Sequence, residues 1–364
     1  MIDSPGFLRL RRIGLTPAVV QQLTTMAPSS TDFGADQALL RVTEVQREGL
    51  TLHDGEQEQT GRMLPALRAM LAAQGDAIAV GDWVRATRNA FGEWWAAERV
   101  PPVNQLARRL HDGRDKVERV VIVANVDTAL LVMGLDHDFN PRRLERYVAL
   151  VAMAGIQAVV VLTKKDLCTD PAERLRLAQA VLPPGVPAVA VDALGSEPRS
   201  ELAPWLREGQ TLVLMGSSGA GKSTLTNALV GAEVALVGAH RADDSRGRHT
   251  TTARSLHQSS AGACIIDTPG LRTLRLDGEA AELAVVFGDI ASLALQCRFR
   301  DCRHQAEPGC AVRDGVAAER LRNYQKLQRE ARLDTLTALE RKTQVSQWKA
   351  RSRAAKTRMD AKRG

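Results

Sequence analysis

The sequence GSSGAGKST, residues 216–224, constrains the fold of this chain more than any other feature. It matches the pattern GxxxxGK[ST], and it lies between an apolar run (212–215) that predicts a strand and STLTNALV, which predicts a helix. In such a loop, backbone N–H groups surround phosphates at the N-terminus of a helix. We expect Lys222 to reach the β- and γ-phosphate oxygens and Ser223 to bind Mg²⁺. The predicted phosphate contacts are Gly216, Ser217, Ser218, Gly219, Ala220, Gly221, Lys222, Ser223 and Thr224.

Two later segments are predicted to complete the phosphate and metal site. DTPG (267–270) ends an apolar strand, so Asp267 can bind the metal through a water molecule and Gly270 can donate its N–H to the γ-phosphate. Between this strand and the phosphate loop lies SRGRHTTTAR, and one of its threonines is expected to bind Mg²⁺ when the γ-phosphate is present. Thr250 and Thr251 both qualify. We favour Thr251, and we count it with Lys222 among the catalytic residues.

The sequence TKKD, residues 163–166, follows a predicted buried strand and predicts recognition of guanine. The Asp166 carboxylate can accept hydrogen bonds from N1–H and the 2-amino group of guanine, a pair of donors that adenine does not offer. The Lys164 stem is expected to pack over the ring. TKKD alone would more often be a charged turn after a strand, but beside the phosphate loop and DTPG it favours GTP and GDP as ligands. The predicted base contacts are Thr163, Lys164, Lys165 and Asp166.

A second loop is expected to contact the base at VDALG, residues 191–195. Its backbone would face the guanine O6, and Asp192 occupies the position that usually holds a serine. The order of the motifs is also unusual, because the base motif precedes the phosphate loop. This order predicts a circularly permuted GTPase domain, whose packed sheet is unchanged because the old and new termini lie at the surface.

The residues around the expected γ-phosphate predict slow hydrolysis by the protein alone. Leu271 follows DTPG at a position where many GTPases have a glutamine that orients the attacking water. His249, next to the threonines, is the nearest candidate for that catalytic role, because an imidazole can position water. The alternative is an exposed histidine without a role.

Three of the five cysteines lie close together and predict a metal site. In CRFRDCRHQAEPGC, three thiolates and one imidazole can complete a tetrahedral zinc shell with no open position. We therefore expect one structural zinc ion per chain, the alternative being free thiols in a helical turn. Cys168 and Cys264 belong to other segments and are interpreted as packing residues. The predicted ligands are Cys297, Cys302, His304 and Cys310.

The pattern of apolar and polar residues changes near residue 103. Before it, ALLRVTEV, GLTLH, GDWVRAT and WWAAERV predict several short strands, which together favour a small β-barrel of the OB type. LTPAVVQQLTTM is a possible short helix ahead of the barrel. Beyond it, VVIVANVDTALLVMG is interpreted as one buried strand, residues 140 and 141 start a helix, and QAVVVLT is the next buried strand. This alternation predicts a parallel α/β sheet.

The positive charge is concentrated at the C-terminus. Of the formal net charge of +7, residues 341–364 carry +8, from nine Lys or Arg and one Asp, which leaves −1 for the rest. A basic segment of this kind predicts an arm that contacts phosphates of a nucleic acid, the alternative being a tail that aids solubility. No apolar run long enough for a membrane span and no secretory signal is present, so we expect a cytoplasmic protein without membrane contact. No feature calls for more than a monomer.

Taken together, these motifs resemble the permuted ribosome small subunit-dependent GTPase A proteins. The resemblance covers about residues 38–330 through GDWV, ANVD, TKKDL, GSSGAGKSTL, GRHTTT, IDTPG and the CxxxxCxHxxxxxC spacing. It implies that the protein binds the small ribosomal subunit and its rRNA late in maturation and hydrolyses GTP faster when bound. It also implies that His249 matches a catalytic histidine, and that the barrel and the zinc domain contact rRNA. Asp192 and the apolar run MLPALRAMLAAQG within the barrel depart from the family pattern.

The predicted fold is a multidomain one: an N-terminal OB-type β-barrel, a circularly permuted P-loop α/β GTPase domain and a zinc-containing helical domain. Two other functions fit parts of the pattern: a P-loop kinase of a small molecule, and an RNA-binding scaffold whose nucleotide site does not turn over. TKKD and DTPG disfavour the kinase, and the intact Lys222, Ser223 and Asp267 disfavour the scaffold. The predicted boundaries are 1–36 for an N-terminal extension, 37–103 for the barrel, 114–282 for the GTPase domain, 283–340 for the zinc-binding helical domain and 341–364 for the basic tail.

Overall fold

The computed structural model describes residues 5–26, 33–34, 36–111, 117–235, 254–268, 283–284 and 286–335. The chain divides into two compact units, each described below by itself. The first comprises Met1–Arg108 and Arg119–Leu274, and the second comprises Arg109–Glu118 and Arg275–Gly364. In the described part of the chain, no helix combines the length and apolar character that a membrane crossing requires.

The first unit begins with two helices and a closed barrel of five strands. The barrel closes because β1 pairs with both β2 and β4, while β3 and β5 connect the other side. The OB-type barrel and the short helix α2 are therefore confirmed, whereas strand β3 was not predicted. The elements are α1 (Pro5–Arg11), α2 (Pro17–Met26), β1 (Gln37–Val45), β2 (Leu50–His53), β3 (Glu58–Met63), α3 (Pro65–Ala73), β4 (Trp83–Arg88) and β5 (Trp94–Arg99).

The apolar run MLPALRAMLAAQG forms helix α3, which packs against the barrel interior. Pro65 stands at the start of the helix, where its missing N–H costs no hydrogen bond. Leu67 and Leu71, one turn apart, are buried together with Leu40 and Leu52 of the barrel. The apolar composition of this segment is thus explained by core packing.

The first unit also contains a large α/β sheet, in which six strands follow the order β10-β9-β8-β11-β13-β12. All neighbours in this order are parallel except β12 and β13. Because the strands are parallel, the carboxyl ends of β8, β9, β11 and β13 meet at one edge, where ligands bind in such sheets. The elements are β8 (Thr128–Gly134), α4 (Pro141–Met153), β9 (Gln157–Thr163), α5 (Pro171–Gln179), β10 (Ala188–Ala190), α6 (Glu197–Glu201), β11 (Thr211–Gly216), α7 (Lys222–Val230), β12 (Ser255–Gln258) and β13 (Cys264–Asp267).

The prediction of one strand for VVIVANVDTALLVMG was wrong. This segment forms two strands in different sheets: β7 (Val117–Ala124) pairs with β6 (Gln105–His111), and β8 lies in the large sheet. The break lies at Asn125, which has a left-handed φ of 55°. Its side chain accepts a hydrogen bond from Val103 N at 2.9 Å and donates one to Gly81 O at 3.0 Å. These two hydrogen bonds stabilise the turn. The turn could not be predicted from the sequence, because the residues on both sides of it are apolar.

A buried arginine connects three parts of the first unit. Arg41 of β1 is fully buried, and its guanidinium lies 5.5 Å from the centre of the Trp83 ring. It donates hydrogen bonds to the carbonyl oxygen of Ile13, to Thr211 Oγ1 at 2.9 Å and to Asn125 O at 3.3 Å. The N-terminal segment, the barrel and the large sheet are therefore held by one side chain. Breaking such a buried charge network is strongly destabilising.

Asp82, in the sequence GDWV, is a buried acid whose titration should affect stability. Its Oδ2 accepts a hydrogen bond from Ala79 N at 2.8 Å. Burial raises the pKa of Asp82 to about 7, and Arg99, with Nη1 3.9 Å from Oδ2, opposes that rise. In the unfolded chain the pKa of an aspartate is about 3.9. The folded state therefore binds the proton more tightly and loses stability as the pH rises from about 4 to about 7.

We expect Asp82→Asn to remove this pH dependence. Asparagine keeps the acceptor for Ala79 N and replaces the acidic proton with an amide, so it carries no deprotonation cost. The melting temperature of the variant should rise relative to the unmodified protein between pH 4 and pH 7, with a constant gap above pH 7. Thermal unfolding at a series of pH values measures this gap. A gap that shrinks with rising pH would contradict the assignment.

Between residues 286 and 335, the regular elements of the second unit are helices, which confirms that part of the prediction. Its core contains Phe287, Ile290, Val312, Leu321 and Leu327, all buried. The rings of Phe287 and Tyr324 are 5.2 Å apart, and Arg320 forms an ion pair with Asp289 at 2.8 Å. The helices are α8 (Gly288–Ala294), α9 (Ala311–Gly315) and α10 (Ala318–Thr335).

Candidate nucleotide site and metal site

The phosphate loop connects the end of β11 to the start of α7. Gly216 is required where the loop leaves the sheet, because a Cβ there would lie 2.1 Å from Val132 O. Gly221 has a left-handed φ of 88° immediately before the helix. The Lys222 ammonium donates hydrogen bonds to Gly216 O at 2.9 Å and to Ser217 O at 2.7 Å. The loop thus curves around its own lysine, an arrangement that suits phosphate binding.

The predicted base motif is joined directly to this loop. Thr163, at the end of β9, is fully buried and donates from Oγ1 to Ala220 O at 2.6 Å. Lys164 follows with a left-handed φ of 59°, and its Nζ lies 2.7 Å from Asp136 Oδ2. Asp166 lies in the next turn and is exposed. The structure therefore brings TKKD and the phosphate loop together at the same edge of the sheet.

Sequence reasoning missed the segment that follows β8, although it contacts both motifs. Asp136 holds Lys164, as described above. Asp138 is buried and accepts hydrogen bonds from Ser217 Oγ at 2.6 and 2.7 Å, and from Gly134 N at 3.2 Å. Arg143 donates to Ser217 Oγ at 2.9 Å and forms an ion pair with Asp138. The available signal was position, since LDHD directly follows a buried strand whose carboxyl end lies at this edge.

Asp267 fits the role of a metal-binding carboxylate. It is buried at the end of β13, and within the described residues its Oδ1 has no hydrogen-bond partner. Burial raises the pKa of Asp267, and the nearby Lys222 opposes this effect. A buried carboxylate oxygen without a partner is costly, and a bound cation relieves that cost. Together with Ser223 in the first turn of α7, Asp267 provides oxygen ligands of the kind that Mg²⁺ prefers.

Several predicted residues lie outside the described part of the chain. They are His249, Thr250, Thr251, Gly270 and Leu271. The predictions that His249 is catalytic, that Thr251 or Thr250 binds Mg²⁺ and that Gly270 contacts the γ-phosphate therefore remain predictions.

The four predicted zinc ligands come together in the second unit. The ligand atoms of Cys297, Cys302, His304 and Cys310 all lie within 4.8 Å of one another. Tetrahedral zinc with Zn–S near 2.3 Å and Zn–N near 2.0 Å requires ligand separations of about 3.5–3.8 Å. His304 Nδ1 lies 3.4 Å from Cys310 Sγ and 3.7 Å from Cys297 Sγ, and the two sulfurs are 4.0 Å apart. The donor set fits zinc, and these three separations lie within about 0.2 Å of the tetrahedral values.

Contacts outside the cluster hold its ligands in place. The His304 backbone is left-handed, with φ 57°, and its carbonyl accepts a hydrogen bond from Gln325 Nε2 at 2.9 Å. The Glu307 carboxylate accepts hydrogen bonds from the N–H groups of Arg303, Gln305 and Ala306. Backbone hydrogen bonds lower the pKa of Glu307 to about 2, so it stays ionised in this turn. The loop is therefore built for a defined ligand geometry.

Comparisons with known proteins identify the family that this chain resembles. A family model described as RsgA GTPase matches residues 101–277. The chain is 45% identical to the small ribosomal subunit biogenesis GTPase RsgA of Xylella fastidiosa (strain M23) over 296 residues, which cover 80% of this chain and 87% of that protein. It is 47% identical to the protein of the same name from Xanthomonas axonopodis pv. citri (strain 306) over 252 residues, 67% and 69% of the two chains.

Two solved structures are similar over most of their length. YjeQ from Thermotoga maritima matches with a TM-score of 0.59 and 25% identity, covering 81% of this chain and 98% of that structure. YloQ, described as a circularly permuted GTPase, matches with a TM-score of 0.56 and 22% identity, covering 83% and 97%. The second similarity concerns the fold alone. The expected barrel, permuted sheet and cysteine-rich helical region are therefore confirmed.

Proposed function

The chain belongs to the RsgA GTPase family, and from this premise we propose that it hydrolyses GTP on the small ribosomal subunit, late in the maturation of that subunit. The observation that carries the proposal is the 45% identity, over four-fifths of the chain, to a protein named for small-subunit biogenesis. The hydrogen bond from Thr163 Oγ1 to Ala220 O supports this proposal, because this bond connects the base motif to the phosphate loop. RNA contact, stimulation by the subunit and the timing are parts of the proposal.

In this proposal each motif has one task. Asp166 accepts hydrogen bonds from guanine, Lys164 packs over the ring, and Thr163 fixes the motif to the loop. Lys222 binds the β- and γ-phosphates. Ser223 and Asp267, with Thr251 or Thr250, would hold Mg²⁺, which neutralises phosphate charge when bound. His249 would position the attacking water, and Gly270 would donate to the γ-phosphate.

The proposed partner surfaces carry positive charge. Arg298, Arg300 and Arg303 surround the predicted zinc ligands, and the basic tail follows along the chain. We propose that these residues and the barrel contact phosphates of rRNA, and that the zinc ion is structural. GTP and GDP are the proposed small-molecule partners. A ribosomal partner implies a cytoplasmic protein, and one chain carries every nucleotide motif, so a monomer suffices.

Rates of GTP hydrolysis with and without ribosomal subunits test the proposal. We expect slow turnover by the purified protein and stimulation of at least about tenfold by isolated small subunits, because partner-activated GTPases gain far more than this when a partner completes the site. Large subunits at the same concentration should give no stimulation. Equal stimulation by both subunits, or a rate that small subunits leave unchanged, would overturn the proposed partner.

A further inference from the structure

The second base-contact loop, residues 191–195, carries Asp192 where a serine is usual, and the structure shows how this loop is held. Asp192 Oδ1 accepts a hydrogen bond from Leu194 N at 2.9 Å, and Asp192 O accepts one from Gly195 N at 3.2 Å. Asp192 therefore stabilises its own turn from within. Within the described residues, the hydrogen bond that its side chain accepts stays inside this turn, so another group connects the two base loops.

Glu197, at the start of α6, makes that connection. Its Oε2 accepts a hydrogen bond from Asp192 N at 3.1 Å. Both carboxylate oxygens also accept from Lys165 Nζ, at 2.9 and 3.1 Å. Lys165 belongs to TKKD, and its backbone N–H donates to Val191 O at 3.4 Å. One carboxylate therefore bridges the two loops that the proposed function assigns to the base.

The two bridged loops present a hydrogen-bond donor and apolar side chains that are complementary to guanine. Ala193 is buried, and within the described residues its N–H has no hydrogen-bond acceptor. Leu194 on one loop and Leu167 on the other are 81% and 69% exposed, which suits contact with a planar ring. A free N–H donor complements the O6 acceptor of guanine, while adenine carries an amino group at that position.

We infer that Glu197, paired with Lys165, is a specificity-determining positioning residue that fixes the loop 191–195 against the guanine O6. The inference rests on the guanine site of the proposed function. It predicts an effect on base selectivity with little effect on folding, because the Lys165 and Glu197 side chains are 40% and 41% exposed. Exposed ion pairs contribute little to the free energy of unfolding.

Three diphosphates separate this role from a general loss of binding. GDP and the inosine analogue IDP both carry O6, whereas the diphosphate of 2-aminopurine riboside lacks it. In the full-length protein, Glu197→Ala should raise the Kd for GDP and IDP about tenfold, as expected for the loss of one well-placed hydrogen bond. The Kd for the 2-aminopurine nucleotide, measured by competition, should change less than twofold. Glu197→Gln keeps an acceptor for Asp192 N and should recover most of the affinity.

Glu201→Ala is the matched control, because Glu201 is an exposed carboxylate on the same helix and makes no hydrogen bond to residues 191–195 within the described structure. It should leave all three Kd values unchanged. Equal losses for all three nucleotides, or no loss for GDP, would overturn the inference while the guanine site stands. If the unmodified protein does not bind GDP, both the proposed site and this inference fail.

Discussion

Replacing Lys222 with alanine is expected to reduce GTP hydrolysis by at least about 100-fold, the usual cost of removing one electrostatic contact to the transition state. The Lys222 ammonium lies inside the phosphate loop, bonded to Gly216 O and Ser217 O, where the transferred phosphoryl group would bind. Its loss would also act on Asp267, since Lys222 opposes the rise in the pKa of that buried acid. Without the lysine, the pKa of Asp267 should be higher, and Asp267 should bind Mg²⁺ less well.

Two measurements check this expectation. Rates of phosphate release with small ribosomal subunits present give the loss of turnover, and Mg²⁺ titrations should show a higher metal requirement in the variant than in the unmodified protein. Lys326→Ala removes the same charge from helix α10 and should leave the rate of the isolated protein unchanged. A Lys222→Ala protein that retains a third of the normal rate would show that this loop does not carry the reaction.

Segments with a local pattern have the predicted local structure, because the physics that selects it is local. The phosphate loop needs glycines at fixed positions between a strand and a helix, and Gly216 meets Val132 as that pattern requires. Helix α4 begins at Asn140 and Pro141, whose capping chemistry is visible in the sequence. The zinc ligands are close in sequence, so their spacing alone nearly fixes their geometry.

The errors in the fold come from segments whose structure depends on distant partners. The turn at Asn125 depends on Gly81 and Val103, which sit in other parts of the chain. Strand β3 (Glu58–Met63) has no apolar alternation, and it forms because β2 and β5 offer it free edges on both sides. Pairing of this kind cannot be predicted from the sequence of the strand alone.

The missed site residues have the same cause. Asp138 and Ser217 are far apart in sequence, and each alone suggests a solvated turn. Glu197 likewise gains its role from Lys165, which a different strand places beside it. Motifs identify the groups that touch a ligand, whereas the residues that position those groups depend on tertiary contacts. A carboxylate directly after a parallel strand is therefore a useful candidate wherever neighbouring strands end in nucleotide motifs.

Removing zinc is expected to unfold the loop between α8 and α9 and to leave the first unit folded. The residues from Cys297 to Cys310 include few buried apolar side chains, with Cys310 the most buried of the four ligands. The hydrogen bonds of Glu307 and Gln325 organise the turn, but they are individually worth only about 1 kcal/mol. Structural zinc contributes about 10–16 kcal/mol to the folding free energy of zinc-finger peptides. Even a fraction of that free energy would exceed the contribution of these hydrogen bonds.

Cys302→Ser should therefore weaken zinc binding by at least about 100-fold and lower the melting temperature of the second unit by more than about 10 °C. Cys168→Ser is the matched control, because Cys168 belongs to the first unit and is not one of the four clustered ligands, so zinc content should stay at one ion per chain. Zinc content of the full-length protein, thermal unfolding and hydrogen exchange across residues 297–310 measure the effect. Hydrolysis by the isolated protein should persist in Cys302→Ser, because Lys222, Asp267 and TKKD belong to the first unit. Loss of that basal rate together with zinc would mean that the metal supports the nucleotide site itself.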